Sequence, residues 1–215
     1  MKGMMKSRAR LVNSTCRQRG LTLIEVLVTL IILSVGLLGL AGLQANAKRS
    51  SHQAHQRTMA TQLVDGIIER IRANPSAAAD YHTGRSSPLG DGAKGDDAPT
   101  PDCSKNSTCS AAQLATYDLW SWEQAIDGAT ITGDIGGVST KEGGLIAPAG
   151  CIVFAADTGK TNTGQLSVIL SWQGLSEISD AVQAGATVCG GGSANSNTRR
   201  RQTVVNTYLV DESEL

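Results

Sequence analysis

The sequence predicts an α+β protein in which one long N-terminal helix lays its second half on a small antiparallel β-sheet. Three observations lead there. Residues 21–43 form an apolar run with few interruptions. The polar stretch that follows keeps helical spacing through Ile71, and three segments rich in β-branched residues, separated by Gly-, Asn- or Ser-containing turns, lie between Gly150 and Val210.

The chain begins with a basic segment, residues 1–20, carrying Lys2, Lys6, Arg8, Arg10, Arg17 and Arg19 and no acid. Of 19 basic residues, 13 remain after it against 19 acidic ones, a net of −6, so the body is acidic although the whole chain is neutral. The apolar run, LTLIEVLVTLIILSVGLLGLAGL, covers 23 positions, and roughly 20 helical residues cross a bilayer. It is too long for the apolar core of a secretory signal peptide. Six basic residues precede it, while Lys48, Arg49 and Arg57 are the only ones that follow closely. The positive-inside tendency therefore places residue 1 in the cytoplasm and the body across the membrane. Glu25 stands out within the run, because a carboxylate among lipid tails costs about 2–3 kcal/mol near mid-span and less towards the edge. It asks for a partner.

Arg19, Gly20, Leu21, Thr22, Leu23, Ile24, Glu25, Val26, Leu27 and Val28 resemble the leader and helix start of type IV prepilins. The resemblance implies that a prepilin peptidase cuts between Gly20 and Leu21 and that Leu21 becomes N-methylated. The family's usual first mature residue is Phe or Met, so Leu21 departs from the pattern. The resemblance also gives Glu25 its partner, the charged amino terminus of a neighbouring subunit, which aligns subunits in a fibre. Within the pilin-like families the chain is most similar to the minor pilin family PilV, the type IV pilus modification proteins. IIERIRANPSAAADY, VILSWQG and RRRQTVVNTYLV carry the weaker support from the body. That implies other minor pilins, the major pilin and an inner-membrane assembly platform as partners. It also implies residence in the bacterial inner membrane through residues 21–43, and later in the pilus.

Four segments follow from these readings: a leader at 1–20, a transmembrane and fibre-core helix at 21–43, an amphipathic continuation at 44–73 and a head at 74–215. Met59, Leu63, Val64, Ile67, Ile68 and Ile71 recur every three or four residues and give the continuation one apolar face. Asn74-Pro75 ends it, because the residue before a proline avoids helical geometry. Leu21 to Ala73 would span about 80 Å if unbroken. Gly36, Gly39 and Gly42 admit either local unwinding or close packing on a neighbouring helix. Residues 75–116 read as a long loop, and Tyr117, Leu119, Trp120 and Trp122 as the start of a short helix beneath the sheet. The strand candidates are Gly150–Ala155, Gln165–Trp172 and Gln202–Val210.

Cys16 lies in the leader, leaving Cys103, Cys109, Cys151 and Cys189 in a body expected outside the cytoplasm, where disulfides persist. Three connectivities are possible, of which the local pairing, Cys103 with Cys109 and Cys151 with Cys189, is the expectation. No enzymatic activity, cofactor or metal is expected. His52, His55 and His82 join no nucleophile or two-cysteine knuckle, Asp96, Asp97 and Asp102 fit no calcium loop, and the CGGGS run at Cys189 lacks the lysine of a phosphate loop. Arg199, Arg200 and Arg201 alone make no nucleic-acid face, and read as the solvated edge of a strand. Two alternatives share part of the pattern: a minor pseudopilin of type II secretion, and a tip adhesin or DNA-uptake module.

Overall fold

The computed structural model describes residues 20, 22–105, 108–129, 131–141, 143–177, 188–190 and 198–215. The chain divides into two compact units, Met1–Ala47 and Lys48–Leu215.

Helix α1 runs without a break from Leu23 to Ala73. At its start the Thr22 carbonyl accepts from the N–H groups of Glu25 and Val26, at 3.0 and 3.3 Å. At its end Arg70 and Arg72 lie in the last turn, where cations suit the helix dipole. Pro75 cannot donate to the helix ladder, and a short 3₁₀ segment, Pro75–Tyr81, takes over. The three glycines of the first half leave the helix intact. Among the described residues, nothing beyond the helix's own adjacent backbone lies within 4 Å of a Cβ built on any of them.

Helix α2 spans Ala111–Ile126, so it opens six residues before the expected Tyr117. Ser110 closes a reciprocal cap: its hydroxyl accepts from the Gln113 N–H, and the Gln113 side chain accepts from the Ser110 N–H. Strands β1, Thr132–Ile135, and β2, Val138–Lys141, form a hairpin over Gly136 and Gly137, both at positive φ. Strands β3, Ala149–Ala156, β4, Gly164–Gln173, and β5, Arg200–Leu209, form an antiparallel sheet in that order. Each strand overlaps its expected segment. β5 begins earlier, at Arg200, because it stays paired with β4 as far as Gln173.

The core of the second unit lies between helices and sheet. Ala60, Val64, Ile67, Ile68 and Ile71 of α1 are buried with Leu119, Trp122 and Ile126 of α2 and with alternate residues of β4, Leu166, Val168, Leu170 and Trp172. Full burial of one such aliphatic side chain is worth about 1.5–3 kcal/mol. Gly150 lets α2 approach β3: a Cβ there would meet the Trp122 ring at 2.8 Å. On the opposite face of the sheet Cys151, Ile169, Ala149 and Cys189 form a second small cluster.

The loop after α1 is held by polar side chains from the helices. Asp118 accepts from the Tyr81 hydroxyl at 2.6 Å and pairs with Arg70 at 3.4 Å, while the Asn74 amide donates to the Tyr81 hydroxyl at 3.2 Å. The fully buried Glu123 accepts from the Gly90 N–H at 2.8 Å and also from the Lys94 N–H. Asp127 accepts from the N–H groups of Asp91 and Gly92, at 2.8 and 2.9 Å. Residues 89–95 are therefore a tethered loop, one turn of chain fastened to the end of α2.

Burial, reinforced by the bond to Asp118, raises the Tyr81 phenol above its ordinary value. The neutral phenol is thus the stabilised form in the folded chain, and its contribution is whole below about pH 10 and lost at higher pH. Tyr81→Phe is expected to cost about 1.5–3 kcal/mol at neutral pH and to remove that alkaline loss. Urea unfolding of the full chain in nonionic detergent, followed by tryptophan fluorescence, measures both.

Candidate functional site

Three groups of residues carry functional expectations: the processing point with Glu25, the apolar helix half, and the cysteines. Gly20 is exposed, and Leu21 lies outside the described residues, as does the rest of the leader, residues 1–19 with Cys16. Glu25 occupies the first turn of α1, where an acid suits the positive end of the helix dipole. Its backbone N–H is satisfied by Thr22. Its carboxylate makes no hydrogen bond or ion pair among the described residues.

The other polar groups of the apolar run are satisfied within the helix. The Thr29 hydroxyl donates to the Val26 carbonyl at 2.8 Å, and the Ser34 hydroxyl to the Ile31 carbonyl at 2.8 Å. Around them the apolar side chains stand open, Leu23 80 % exposed and Leu38 77 % exposed, with Ile31, Ile32 and Leu33 between them also exposed. The helix is long and apolar enough to cross a membrane, and none of its most apolar stretch is buried by the described residues. Glu25 is thus the one ionisable group on a helix half whose backbone and hydroxyls are already paired.

Disulfides join Cys103 to Cys109 and Cys151 to Cys189, with Cα separations of 5.9 and 5.7 Å. The first closes a short loop beside Asp102. Hydrogen bonds from the Ser104 hydroxyl and N–H, with Lys105, hold the Asp102 carboxyl at about 2. The second fastens the stretch around Cys189 to the centre of β3, where the Gly190 N–H also donates to the Arg85 carbonyl at 3.0 Å.

The histidines have no common site. His52 and His55 are exposed on α1, and the His82 ring Nδ1 lies 3.0 Å from the Phe154 N–H at the sheet edge. Among the described residues no group of three His, Cys, Asp or Glu is placed to hold a metal. The arginine run is the expected solvated edge only at Arg199, which is exposed, while Arg200 and Arg201 are half-buried. Arg200 donates to the Ser171 hydroxyl at 2.9 Å and the Ala147 carbonyl at 3.1 Å, and Arg201 to the carbonyls of Ser176 and Arg199, at 2.8 and 3.2 Å. Burial pulls both guanidinium groups below their ordinary values. Sequence reasoning missed this because the acceptors come from β4 and from loops distant along the chain.

Two family models match the chain. Residues 15–41 match the prokaryotic N-terminal methylation motif, and residues 42–120 match the family described as Tt1218-like, type IV pilin Tt1218. The two matches abut, so the pilin-type region begins where the methylation motif ends. No curated protein and no solved structure matches the chain. The motif and the uncovered apolar helix together fit a membrane-anchored pilin, and the long helix followed by a three-stranded antiparallel sheet fits the type IV pilin fold.

A lysine at the centre of the apolar half costs about 2.5–3.5 kcal/mol of insertion. Paired substitutions Ile32→Lys and Leu33→Lys are expected to release the full chain from membranes during alkaline carbonate extraction, whereas the unsubstituted chain stays in the pellet.

Proposed function

We propose that this chain is a type IV pilin subunit, made as a prepilin, cut between Gly20 and Leu21, methylated on Leu21 and assembled into a fibre. The observation that carries the reading is Glu25, a carboxylate without a partner among the described residues, on an otherwise self-satisfied apolar helix, inside a stretch that matches the N-terminal methylation motif. Cutting after Gly20 makes Glu25 the fifth residue of the mature chain and creates a cation at Leu21. Methylation keeps that charge. In an apolar surrounding, a carboxylate and an ammonium from neighbouring subunits attract strongly, and either one left alone is far costlier than in water. Axial slip between helices would separate them, so the pair sets the register of assembly. The helix half around Glu25 exchanges lipid for the helices of other subunits, and the exchange preserves its apolar surroundings.

The finer reading is a minor pilin of the PilV type, acting in a priming or tip complex. It is supported by the segments around IIERIRANPSAAADY, VILSWQG and RRRQTVVNTYLV. Its partners on this reading are the prepilin peptidase, the other minor pilins, the major pilin and the inner-membrane assembly platform. A minor pseudopilin of type II secretion shares the motif, Glu25 and the helix, so the test is designed to separate the two.

In a strain unable to retract pili, deletion of the gene is expected to abolish or strongly reduce surface pili and to leave type II secretion normal. Complementation with Glu25→Ala is expected to restore a processed, membrane-bound chain without restoring pili. Intact pili with failed secretion would replace the pilus reading by the pseudopilin one. Restoration of pili by Glu25→Ala would contradict the register role.

A further inference from the structure

Within the second unit, α1 and the β4–β5 end of the sheet leave an open cleft of about 410 Å³, lined by Gln53, Gln56 and Arg57 from the helix, and by Trp172, Gly174 and Arg201. Gln56 is 4 % exposed, and its Oε1 has no hydrogen-bond partner among the described residues. A buried amide oxygen left unpaired costs about 1–3 kcal/mol. Gln56 stands one turn before Ala60 on the apolar stripe of α1, where an aliphatic side chain would pack without that cost. The Arg57 guanidinium is exposed and makes no hydrogen bond or ion pair among the described residues. Arg201 spends two of its donors on carbonyls and keeps the remainder of its five N–H groups. Among the described residues no carboxylate lines the cleft.

The charge of the surrounding chain is lopsided in the same sense. Lys48, Arg49 and Arg57 on α1 and Arg199, Arg200 and Arg201 on the strand side make up six of the 13 basic residues after Gly20. The rest of the mature chain carries 7 basic against 19 acidic residues. Its exposed acids include Asp91 on the tethered loop and, just after it, Asp96, which pairs with Lys141, and Asp97.

We propose that this cleft is a docking site for an acidic loop on the head of a neighbouring pilin. A carboxylate of the loop bonds to Arg57 and to the unused donors of Arg201, and the Gln56 amide, on turning its buried Oε1 outward, accepts a peptide N–H of the same loop. An acidic peptide supplies the acceptor and the donor together. A lipid phosphodiester itself offers acceptors only, so a lipid would pair Gln56 only through a separate headgroup hydroxyl or ammonium. The inference rests on the pilin reading for the identity of the partner, since that reading brings such heads together. The binding event itself is read on the purified chain, whether or not the chain is processed or assembled.

The probe is a capped peptide with the sequence of residues 90–99, GDGAKGDDAP, titrated into the full-length chain in nonionic detergent. Saturable one-to-one binding is expected, weakened about tenfold by Arg57→Ala, by replacing the three aspartates of the peptide with asparagine, and by raised salt. Gln56→Leu is expected to weaken binding while leaving the thermal transition of the chain unchanged or higher. A role in folding alone would lower that transition and leave binding untouched. Absence of saturable binding, or binding that ignores both Gln56→Leu and Arg57→Ala, would overturn the proposal. Displacement of the peptide by an equal or lower concentration of phosphatidylglycerol in mixed micelles would overturn it in favour of a lipid site. If binding holds while gene deletion leaves pili intact, the pilus reading fails and the acidic-loop site stands.

Discussion

An apolar helix half whose side chains stand exposed among the described residues is the constraint on which everything else here depends. Its aliphatic side chains would each forfeit about 1.5–3 kcal/mol if left in water, so the helix must stay in lipid or be covered by other apolar helices. A helix can do either, because its backbone bonds are satisfied internally, and Thr29 and Ser34 turn their hydroxyls back onto the same ladder. Glu25 alone cannot be satisfied this way. On the proposed reading, its charge gives an otherwise indifferent apolar surface a preferred axial position, which ordered assembly requires and a plain anchor does not.

The second half of α1 meets the opposite demand. Its apolar face, Ala60, Val64, Ile67, Ile68 and Ile71, is the centre of the core in the second unit. The acids of α2 then organise the loop that follows. Asp118 and Glu123 on that helix, and Asp127 at its C-terminal cap, all accept from residues between Tyr81 and Lys94, and Asp118 also pairs with Arg70. A buried carboxylate is tolerated only when its oxygens are occupied, and Glu123 satisfies this with two backbone N–H groups. The same helices therefore supply both the apolar floor and the polar fastening of the head.

The parts legible in the sequence were those encoded over short distances. The motif around Gly20 and Glu25, the stop at Asn74-Pro75 and the period of α1 are all local patterns. So are the β-branched runs of β3, β4 and β5. The start of α2 was misplaced because Ala111, Ala112, Ala115 and Thr116 show no apolar period, although Ser110 with Gln113 held a capping signal. The hairpin of β1 and β2 was missed for its brevity, even with Gly136-Gly137 between short segments that read weakly as strand. The fastening of residues 89–95 by α2, and the bonds of Arg200 and Arg201, join residues far apart in sequence, and no periodicity encodes them. Gln56 was passed over since one polar residue on a helix face looks ordinary until its burial is known.

The most direct measurement is mass spectrometry of the N-terminal peptide of this chain in pili sheared from cells and freed of membrane. The account predicts that the chain is present and begins at Leu21 with a single N-methyl group, and that Cys103–Cys109 and Cys151–Cys189 are linked. A chain absent from the sheared fibres and confined to the membrane, or one that still carries residues 1–20, would contradict it.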